Sequence, residues 1–315
     1  MATKKISKTK AKKVVKQVKK LPPAAIVAII ILAILVVAAF VIYLKFFQAD
    51  DEDEVYEIPE GVAEIHYIDI GQGDATLIMV GGKNILIDTG EKSTENENTL
   101  RTYLEERNVT DLEYFIITHF DSDHFGNALF VLENYNIKNV MIPDQTKTTK
   151  MYENFIAELE KHDEINVICA NDVVGDKINV GDLELNMLAP LKNNYKNSND
   201  YSICFVARFG NTKFLFTGDA EETALDDIDK KYAAKDLNCD VFQAGHHGSR
   251  NANTKALMDK ATPSIIVISC GKDNSYGHPH AEAMALFEAT NATIYRTDEI
   301  GSIVLETDGE KITKK

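Results

Sequence analysis

Two histidines and two aspartates lie within six consecutive residues, in the sequence His119-Phe120-Asp121-Ser122-Asp123-His124. The segment directly follows the apolar run 114–117, which is typical of a buried strand. Imidazole and carboxylate ligands together suit Zn, Mn or Fe better than Ca or Mg. The alternative is a polar loop in which Ser122 or Asp123 caps a following helix. The density of ligands favours a metal site, whose remaining ligands must come from elsewhere in the chain.

Further metal-binding residue types follow other strand-like runs of the sequence. Strand ends on one side of a sheet are where α/β folds gather their sites, so we expect these side chains to meet. For some of them a structural role stays open, since Pro279 can fix a turn around His278 and His280, and Asp88 can cap a turn. The additional candidates are Asp88, Asp219, His246, His247, His278 and His280.

The N-terminal part of the chain reads as a membrane anchor. Residues 1–20 hold nine Lys and no acid, and 21 uncharged residues follow at 24–44, enough to span about 30 Å of hydrocarbon. The acidic run 50–54 comes next, so the positive-inside rule leaves the N-terminus in the cytoplasm and the body outside. A cleavable signal peptide is the competing interpretation, but the apolar run is longer than usual for one. We predict a Lys-rich cytoplasmic tail, a transmembrane anchor, an acidic linker and one folded domain, at 1–20, 21–45, 46–61 and 62–311.

The folded body contains two similar strand patterns. Strands 75–80 and 83–87 flank Gly81-Gly82, and strands 201–209 and 213–216 flank Gly210-Asn211. Each hairpin is followed by an aspartate near a glycine, in Asp88-Thr89-Gly90 and Gly218-Asp219, which indicates a layered α/β domain built by duplication. Helices are predicted over 99–107, 126–134, 150–161, 221–232, 253–260 and 280–289, and two strands follow the last helix.

Charge and cysteine content narrow the function classes. The formal net charge is −15, and because residues 1–20 carry nine positive charges, the rest of the chain carries −24. A body this acidic is not typical of a general polyanion binder. Cys169, Cys204, Cys239 and Cys270 lie more than 30 residues apart without a Cys-x-x-Cys pair, which predicts buried free thiols.

Taken together, the motifs resemble the metallo-β-lactamase fold of metal-dependent hydrolases and, more closely, the hydrolase domain attached to the competence protein ComEC. The resemblance covers about residues 62–306. It implies an αββα four-layer sandwich, here preceded by one transmembrane helix, with a two-metal site at the sheet edges. The motifs that carry it are 69–75 (DIGQGDA), 119–124 (HFDSDH), 199–202 (NDYS), 217–219 (TGD), 246–249 (HHGS) and 276–279 (YGHP).

The resemblance also implies a ligand set of two divalent cations, Zn or Mn. The first metal takes His119, Asp121 and a bridging Asp219. The second metal takes Asp123, His124, Asp219 and one member of the tandem histidine pair, for which His246 is preferred over His247. Two features depart from the family: Asp121 replaces a histidine, and Asn199-Asp200-x-Ser202 stands where another histidine is expected.

Other residues receive supporting roles by the same resemblance. Asp123 is predicted to act in catalysis as well as in metal binding, and His247 or His278 to donate a proton to the leaving group. Ser249 and Asn274 are predicted to bind substrate oxygens. The residues expected to orient ligands, contact substrate or shape the glycine turn are Asp69, Asp74, Asp88, Asn199, Asp200 and Ser202.

The implied activity is hydrolysis of phosphodiesters by a water activated between two cations, outside the cytoplasm. A nuclease with single-stranded DNA as substrate is the first hypothesis, and the sequence identifies no obligate protein partner. The acidic body makes a smaller ester an alternative, as in phosphorylcholine esterases that act on cell-wall polymers. The third hypothesis is a metal-binding module without activity.

Overall fold

The computed structural model of the protein describes residues 22–47 and 56–315. The Lys-rich tail at 1–20 and residues 48–55 of the acidic linker lie outside the described residues. The chain divides into two compact units, one ending at Val55 and the other spanning Tyr56–Lys315. Each unit is described by itself.

One apolar helix, α1 (Pro23–Phe47), makes up the described part of the first unit. Its segment Pro23–Tyr43 is 21 residues long, carries no buried surface and is apolar enough to cross a membrane. Within the described residues it is the only helix with that length and composition. The helix covers most of the predicted anchor at 21–45.

Two large sheets form the body of the second unit. The strands of the first sheet are β1 (Ala63–Tyr67), β2 (Thr76–Val80), β3 (Lys83–Ile87), β5 (Tyr114–Ile116), β7 (Asn139–Ile142), β8 (Asn166–Cys169), β16 (Ile303–Thr307) and β17 (Ile312–Lys314). Those of the second are β9 (Lys177–Val180), β10 (Leu183–Ala189), β11 (Cys204–Phe209), β12 (Thr212–Phe216), β13 (Val241–Gln243), β14 (Ile265–Ile268) and β15 (Thr293–Arg296), and a small separate pair joins β4 (Asp111–Leu112) to β6 (Asn136–Ile137). The first sheet has the strand order β17-β16-β1-β2-β3-β5-β7-β8, and the second has the order β15-β14-β13-β12-β11-β10-β9.

The two sheets repeat one topology. The hairpin β2–β3 leads into the parallel strands β5, β7 and β8, and the hairpin β11–β12 leads into the parallel strands β13, β14 and β15. This agrees with the duplication predicted from the two glycine turns. The C-terminal region differs from prediction, because three strands follow the helix predicted at 280–289: β15 completes the second sheet, β16 returns to pair with β1, and β17 pairs with β16.

Helices cover the outer face of each sheet, so the fold is an αββα sandwich. Side chains such as Tyr67, Phe205 and Phe216 pack between the sheets, with Phe216 stacked on both other rings. The outward-facing residues of each sheet pack on helices through separate apolar clusters. The covering helices are α2 (Thr94–Glu105), α4 (Ala128–Asn134) and α5 (Lys150–Leu159) on the first sheet, and α6 (Glu222–Lys231), α8 (Lys255–Ala261) and α9 (Ala281–Glu288) on the second. Three short helices complete the set: α3 (Ser122–Phe125), α7 (Ala234–Leu237) and α10 (Thr297–Ile300).

Two helices differ from the sequence prediction for local reasons. Helix α2 begins at Thr94 instead of residue 99, because the Ser93 hydroxyl accepts a hydrogen bond from the Asn96 amide and caps the helix. The predicted helix 126–134 begins at Ala128 as α4, and the separate short helix α3 precedes it. Between them, the Asn127 side chain donates to the carbonyl oxygens of Thr89 and Glu91, which holds the break in place.

The four cysteines are free thiols, as predicted. Cys204, Cys239 and Cys270 are buried, whereas Cys169 is half-buried. Burial raises the pKa of the Cys204 thiol well above its usual value, so this group behaves as part of the apolar core.

Candidate metal centre

The predicted ligands meet where strands of both sheets end. Asp88 follows β3, the His119–His124 segment follows β5, and Asp219 follows β12 in the second sheet. The tandem pair His246-His247 follows β13. The sandwich therefore brings together residues that lie more than 150 positions apart in the sequence, such as Asp88 and His246.

Asp219 lies at the centre of the cluster and is 2% exposed. Its Oδ1 lies 3.0 Å from His124 Nε2, without the alignment of a hydrogen bond. Its Oδ2 lies 3.5 Å from His246 Nε2, 3.8 Å from His247 Nε2 and 3.9 Å from His119 Nε2. The Asp219 carboxylate thus faces four imidazoles, a position from which it could bridge two cations.

Three buried atoms of this cluster have no hydrogen-bond partner among the described residues. They are His119 Nε2, His124 Nε2 and Asp219 Oδ1. A buried polar atom left without a partner costs about 1–3 kcal/mol, so three such atoms around one carboxylate require further partners. Imidazole nitrogens and carboxylate oxygens are zinc ligands, and divalent cations beside Asp219 fit the residues present.

The Asp123 side of the cluster includes His247. The two side chains approach to 3.3 Å between Asp123 Oδ2 and His247 Nε2. His247 Nδ1 lies 3.0 Å from the Ser269 carbonyl oxygen, to which it donates, and this turns Nε2 towards the carboxylates. The sequence interpretation gave His247 the role of proton donor, whereas this fully buried position favours a metal ligand.

The tandem histidines adopt an uncommon backbone conformation. His246 has φ 48° and His247 has φ 54°, both in the left-handed region that residues with a Cβ seldom occupy. Such strain is found where the surrounding structure requires it, often at functional sites. Here the two consecutive left-handed residues aim both rings at Asp219 from different directions.

Asp74 lies on the side of His124 and His247 that is opposite Asp219. Its carboxylate oxygens lie 4.0 Å from His124 Nδ1 and 3.6 Å from His247 Nδ1. Asp74, His124, Asp219 and His247 form a buried group whose side chains could hold a metal ion. Within this group, Asp74 faces the Nδ1 atoms of the two histidines, whereas Asp219 faces their Nε2 atoms. The position agrees with the predicted orienting role.

Asp88 fixes His124 from behind. It is fully buried and accepts hydrogen bonds from the Thr118 amide at 2.8 Å, the Thr118 hydroxyl at 2.6 Å and His124 Nδ1 at 2.7 Å. The three donors leave His124 Nε2 directed at Asp219. Sequence analysis missed Thr118, although it immediately precedes the His119 motif.

Asp121 lies on the more open side of the cluster, with its side chain 36% exposed. Its Oδ2 lies 3.9 Å from His119 Nε2. Its Oδ1 accepts hydrogen bonds from Lys147 Nζ at 2.8 Å and from Ser198 Oγ at 2.7 Å, and Lys147 also donates to Ser198. No sequence signal indicated Lys147 or Ser198, which come from distant loops.

His246 is held by a second carboxylate. Its Nδ1 lies 3.2 Å from Glu221 Oε1, and Asn199 Nδ2 donates to the same oxygen at 3.2 Å. Asn199 is therefore next to a candidate ligand, as expected, while Glu221 was missed. Ser202 Oγ accepts from the Asp219 amide at 3.0 Å and lies 3.4 Å from His119 Nδ1, so it also supports the cluster.

Four of the predicted supporting residues form hydrogen bonds with backbone groups of loops or of a helix start. Asp200 Oδ1 accepts from the amides of Glu221 and Ala224 and caps the first turn of α6, and Asp69 Oδ1 accepts from the Gly71 amide. Ser249 Oγ accepts from the Asn251 amide, and Ser249 is buried. The Asn274 side chain bonds the backbone of Gly271 and His278. Ser249 and Asn274 thus brace loops, and their contacts with substrate stay a prediction.

Gly73 explains part of the 69–75 motif. Its φ is 131°, and a Cβ at this position would lie 2.2 Å from the Asp123 carbonyl oxygen. The next residue, Asp74, donates its amide to that same oxygen at 3.1 Å. A glycine is required for the backbone to approach this closely and hold the Asp123 loop in position.

The charge states suit cation binding. Burial and the neighbouring His124 lower the pKa of His119 to about 4, so its Nε2 carries a free electron pair at neutral pH. Burial opposes ionisation of Asp219, but His124, His247 and His246 outweigh it and hold the pKa of that carboxyl well below its usual range. Burial likewise opposes the charging of His247, yet the carboxylates of Asp219, Asp74 and Asp123 raise its pKa to about 10. The carboxylates therefore hold positive charge in the cluster, on the imidazole rings of His124 and His247 or on a bound cation in their place.

His278 lies beside the tandem pair, with ring centroids 5.3 Å from His246 and 6.0 Å from His247. Its Nδ1 is buried and has no hydrogen-bond partner among the described residues. Burial, together with His247 and His246, lowers the pKa of His278 to about 4, so the ring is neutral at pH 7. His280 packs on it edge to face, at a centroid distance of 4.7 Å.

Comparison with known proteins places this geometry in context. Residues 68–272 match the model of the metallo-beta-lactamase superfamily. The chain is 27% identical over 269 residues to ComE operon protein 3 of Bacillus subtilis, covering 79% of this chain and 34% of that protein. It is 27% identical over 244 residues to Recombination protein 2 of Haemophilus influenzae, covering 76% of this chain and 28% of that protein. The chain thus spans about a third of the length of the curated relatives it matches.

A solved structure shares the fold. CmlA, a diiron beta-hydroxylase from Streptomyces venezuelae, superposes with a TM-score of 0.53 at 15% sequence identity, covering 79% of this chain and 55% of that chain. At this identity the similarity describes the architecture alone.

Proposed function

Because the chain belongs to the metallo-β-lactamase superfamily and is related to competence proteins, we propose that it hydrolyses phosphodiesters at a two-metal site. The observation that carries the proposal is the convergence of three buried, unpartnered atoms: His119 Nε2, His124 Nε2 and Asp219 Oδ1. His124 Nε2 and Asp219 Oδ1 lie 3.0 Å apart without the alignment of a hydrogen bond, and cations beside the imidazoles would satisfy all three atoms.

We assign the ligands by the second carboxylate that each histidine approaches, which is Asp123 for His247 and Asp121 for His119. Asp123, His124 and His247 would hold one cation together with Asp219. His119, Asp121 and His246 would hold the other, and His246 takes the place of the histidine that this chain lacks in the family pattern. Such ligands suit Zn or Mn. Divalent cations bound there supply charge neutralisation for phosphoryl oxygens and lower the pKa of water.

In the reaction, the oxygen of water forms a bond to phosphorus and the bond to the leaving oxygen breaks. One proton is lost from the water and one is gained by the leaving oxygen, so the products are a phosphomonoester and an alcohol. His278, whose ring is neutral at pH 7 and whose Nδ1 has no partner among the described residues, would give a hydrogen bond to an oxygen of the substrate. Lys147, beside the open Asp121, contributes a positive charge on the solvent side.

The relatives of the chain favour a polymeric substrate, whereas the negative net charge of the chain favours a small substrate. Recombination protein 2 is named for a process that acts on DNA, which supports single-stranded DNA as the substrate. A net charge of −24 beyond residue 20 weakens attraction to a polyanion and favours a small phosphoester, such as a choline phosphodiester, as the second candidate.

The deciding experiment offers three substrates to the full chain in detergent with Mn²⁺: single-stranded DNA, bis-p-nitrophenyl phosphate and a phosphocholine ester. We expect cleavage of the DNA and of bis-p-nitrophenyl phosphate, both abolished by chelation. Cleavage of the small esters alone would refute the nuclease assignment. Failure to cleave any of the three would leave a metal-binding module without activity.

We further propose that α1 holds the protein in the cell membrane with the folded body outside. The nine Lys before the helix and the acidic run 50–54 after it support this orientation. Protease added to intact cells should then degrade the folded body. Complete protection, lost only when the cells are opened, would contradict the orientation.

A further inference from the structure

Tyr276 is the only aromatic side chain exposed to solvent among residues 56–315. It is 62% exposed, whereas the other tyrosines and the phenylalanines of this unit are buried or half-buried. Val167 and Ile300 are the other large apolar residues exposed in the unit. The exposed ring of Tyr276 is available to contact a ligand, and its location beside the metal centre indicates which ligand that is.

Tyr276 lies at the edge of the metal centre. Its ring stacks on His278 with centroids 5.8 Å apart and an interplanar angle of 20°. His278 in turn lies 5.3 Å from the ring of His246, which faces Asp219. Tyr276 is therefore one ring removed from the residues assigned to the cations.

The loop that carries Tyr276 is braced. Asn274 Nδ2 donates to the carbonyl oxygens of Gly271 at 2.9 Å and His278 at 2.6 Å, and its Oδ1 accepts from the His278 amide at 3.0 Å. The Gly271 amide also donates to Gln72 Oε1 at 3.1 Å, which ties this loop to the 69–75 motif. Because the loop is fixed at both sides of Tyr276, the ring is positioned before any ligand arrives.

The negative net charge of the folded body means that affinity for a phosphodiester substrate must come from interactions other than attraction to Lys and Arg. Nucleic-acid sites usually track the backbone with Lys and Arg, yet residues 21–315 carry −24. Stacking of bases on aromatic rings supplies affinity without positive charge, because every base has a π-face. A quaternary ammonium group, such as that of choline, favours a cage of several aromatic faces. Tyr276 offers a single free face, since His278 packs on the other, so the described residues of the site do not provide such a cage.

We propose that Tyr276 is the stacking platform for a nucleobase adjoining the scissile phosphodiester, so that the substrate is a nucleotide ester and not an ester of choline. The inference rests on the proposed phosphodiesterase activity and names its substrate class. Tyr276 sets substrate affinity, and the phosphoryl chemistry stays with the residues around Asp219.

The test compares two oligonucleotides of equal length with the full chain and Mn²⁺: one of thymidines and one in which every sugar lacks its base. Tyr276→Ala is expected to raise KM about tenfold for the thymidine strand, within the range of one base–aromatic stack, and to leave KM for the abasic strand unchanged. Tyr276→Phe keeps the ring and should behave as the wild type. Ile300→Ala, which removes an exposed apolar side chain elsewhere, should change neither KM.

Three outcomes would overturn the platform. They are an equal KM of the wild type for both strands, an equal rise for both strands in Tyr276→Ala, and a rise in Tyr276→Ala confined to a phosphocholine ester. In the first two cases the protein still cleaves phosphodiesters, so only the stacking role of Tyr276 is refuted and the proposed function stands. If the wild type cleaves neither strand nor bis-p-nitrophenyl phosphate, the proposed function fails with it. Thermal unfolding of each variant verifies that the exposed substitution leaves the fold intact.

Discussion

Replacing Asp219 with asparagine is expected to remove most of the bound metal and to lower kcat by about a thousandfold or more, since several kcal/mol of transition-state stabilisation depend on the cations. Asparagine keeps the shape of the side chain but loses its negative charge. In the wild type, the Asp219 oxygens lie 3.0–3.9 Å from four imidazole nitrogens. Both proposed cations would lose their shared ligand.

Two measurements on the same preparation test this expectation: the rate of bis-p-nitrophenyl phosphate hydrolysis, and metal content by mass spectrometry after gel filtration. Asp226→Asn is the matched control. It makes the same chemical change in an exposed side chain of α6, paired only with Lys230. Circular dichroism establishes that both variants fold. Full activity with wild-type metal content in Asp219→Asn would show that Asp219 does not bridge the cations.

Replacing either tandem histidine with alanine is expected to cost one cation, but a different one in each variant. His247→Ala removes the imidazole beside Asp123, and His246→Ala removes the one held by Glu221. Loss of a direct ligand should weaken the affected site by more than the roughly 10- to 100-fold typical of outer partners. We expect the larger loss of activity from His247→Ala, because that ring is fully buried, whereas the His246 side chain is 21% exposed.

Calorimetric titration of chelator-treated protein with Mn²⁺ or Zn²⁺ measures the number of cations that each variant binds. His162→Ala is the control, since His162 pairs with Glu164 away from the cluster and its loss should leave both sites intact. The double variant should retain neither site at high affinity. If His246→Ala binds metal with unchanged number and affinity, His246 is a neighbour of the site and not a ligand.

The architecture was accessible from the sequence because its signals are local. Glycine turns between β-rich runs predicted both hairpins, and the apolar run before His119 predicted that the motif begins at a strand end. Dense ligand spacing in residues 119–124 then indicated a metal before any fold was assigned. Each of these inferences needs only neighbouring residues, and the structure confirms the duplicated α/β arrangement.

The finer assignment of the site depended on information that no local pattern carries. Adjacent histidines in an extended or helical segment would point apart, and only the left-handed backbone of His246 and His247 turns both towards Asp219. Lys147 and Ser198 reach Asp121 from other loops, at separations of 26 and 77 residues. The side-chain amide of Asn274 braces its loop by hydrogen bonds to the backbone, a role that the sequence did not indicate. Tertiary contacts decided these roles.

The most direct measurement of the central claim is a crystal structure of the chain grown with Mn²⁺, with anomalous scattering used to locate the metal. We predict two anomalous peaks that share Asp219. One should lie among Asp123, His124 and His247, and the other beside His119 and His246. An anomalous map without a peak at Asp219, under conditions in which Mn²⁺ is present and the side chains are ordered, would contradict the account.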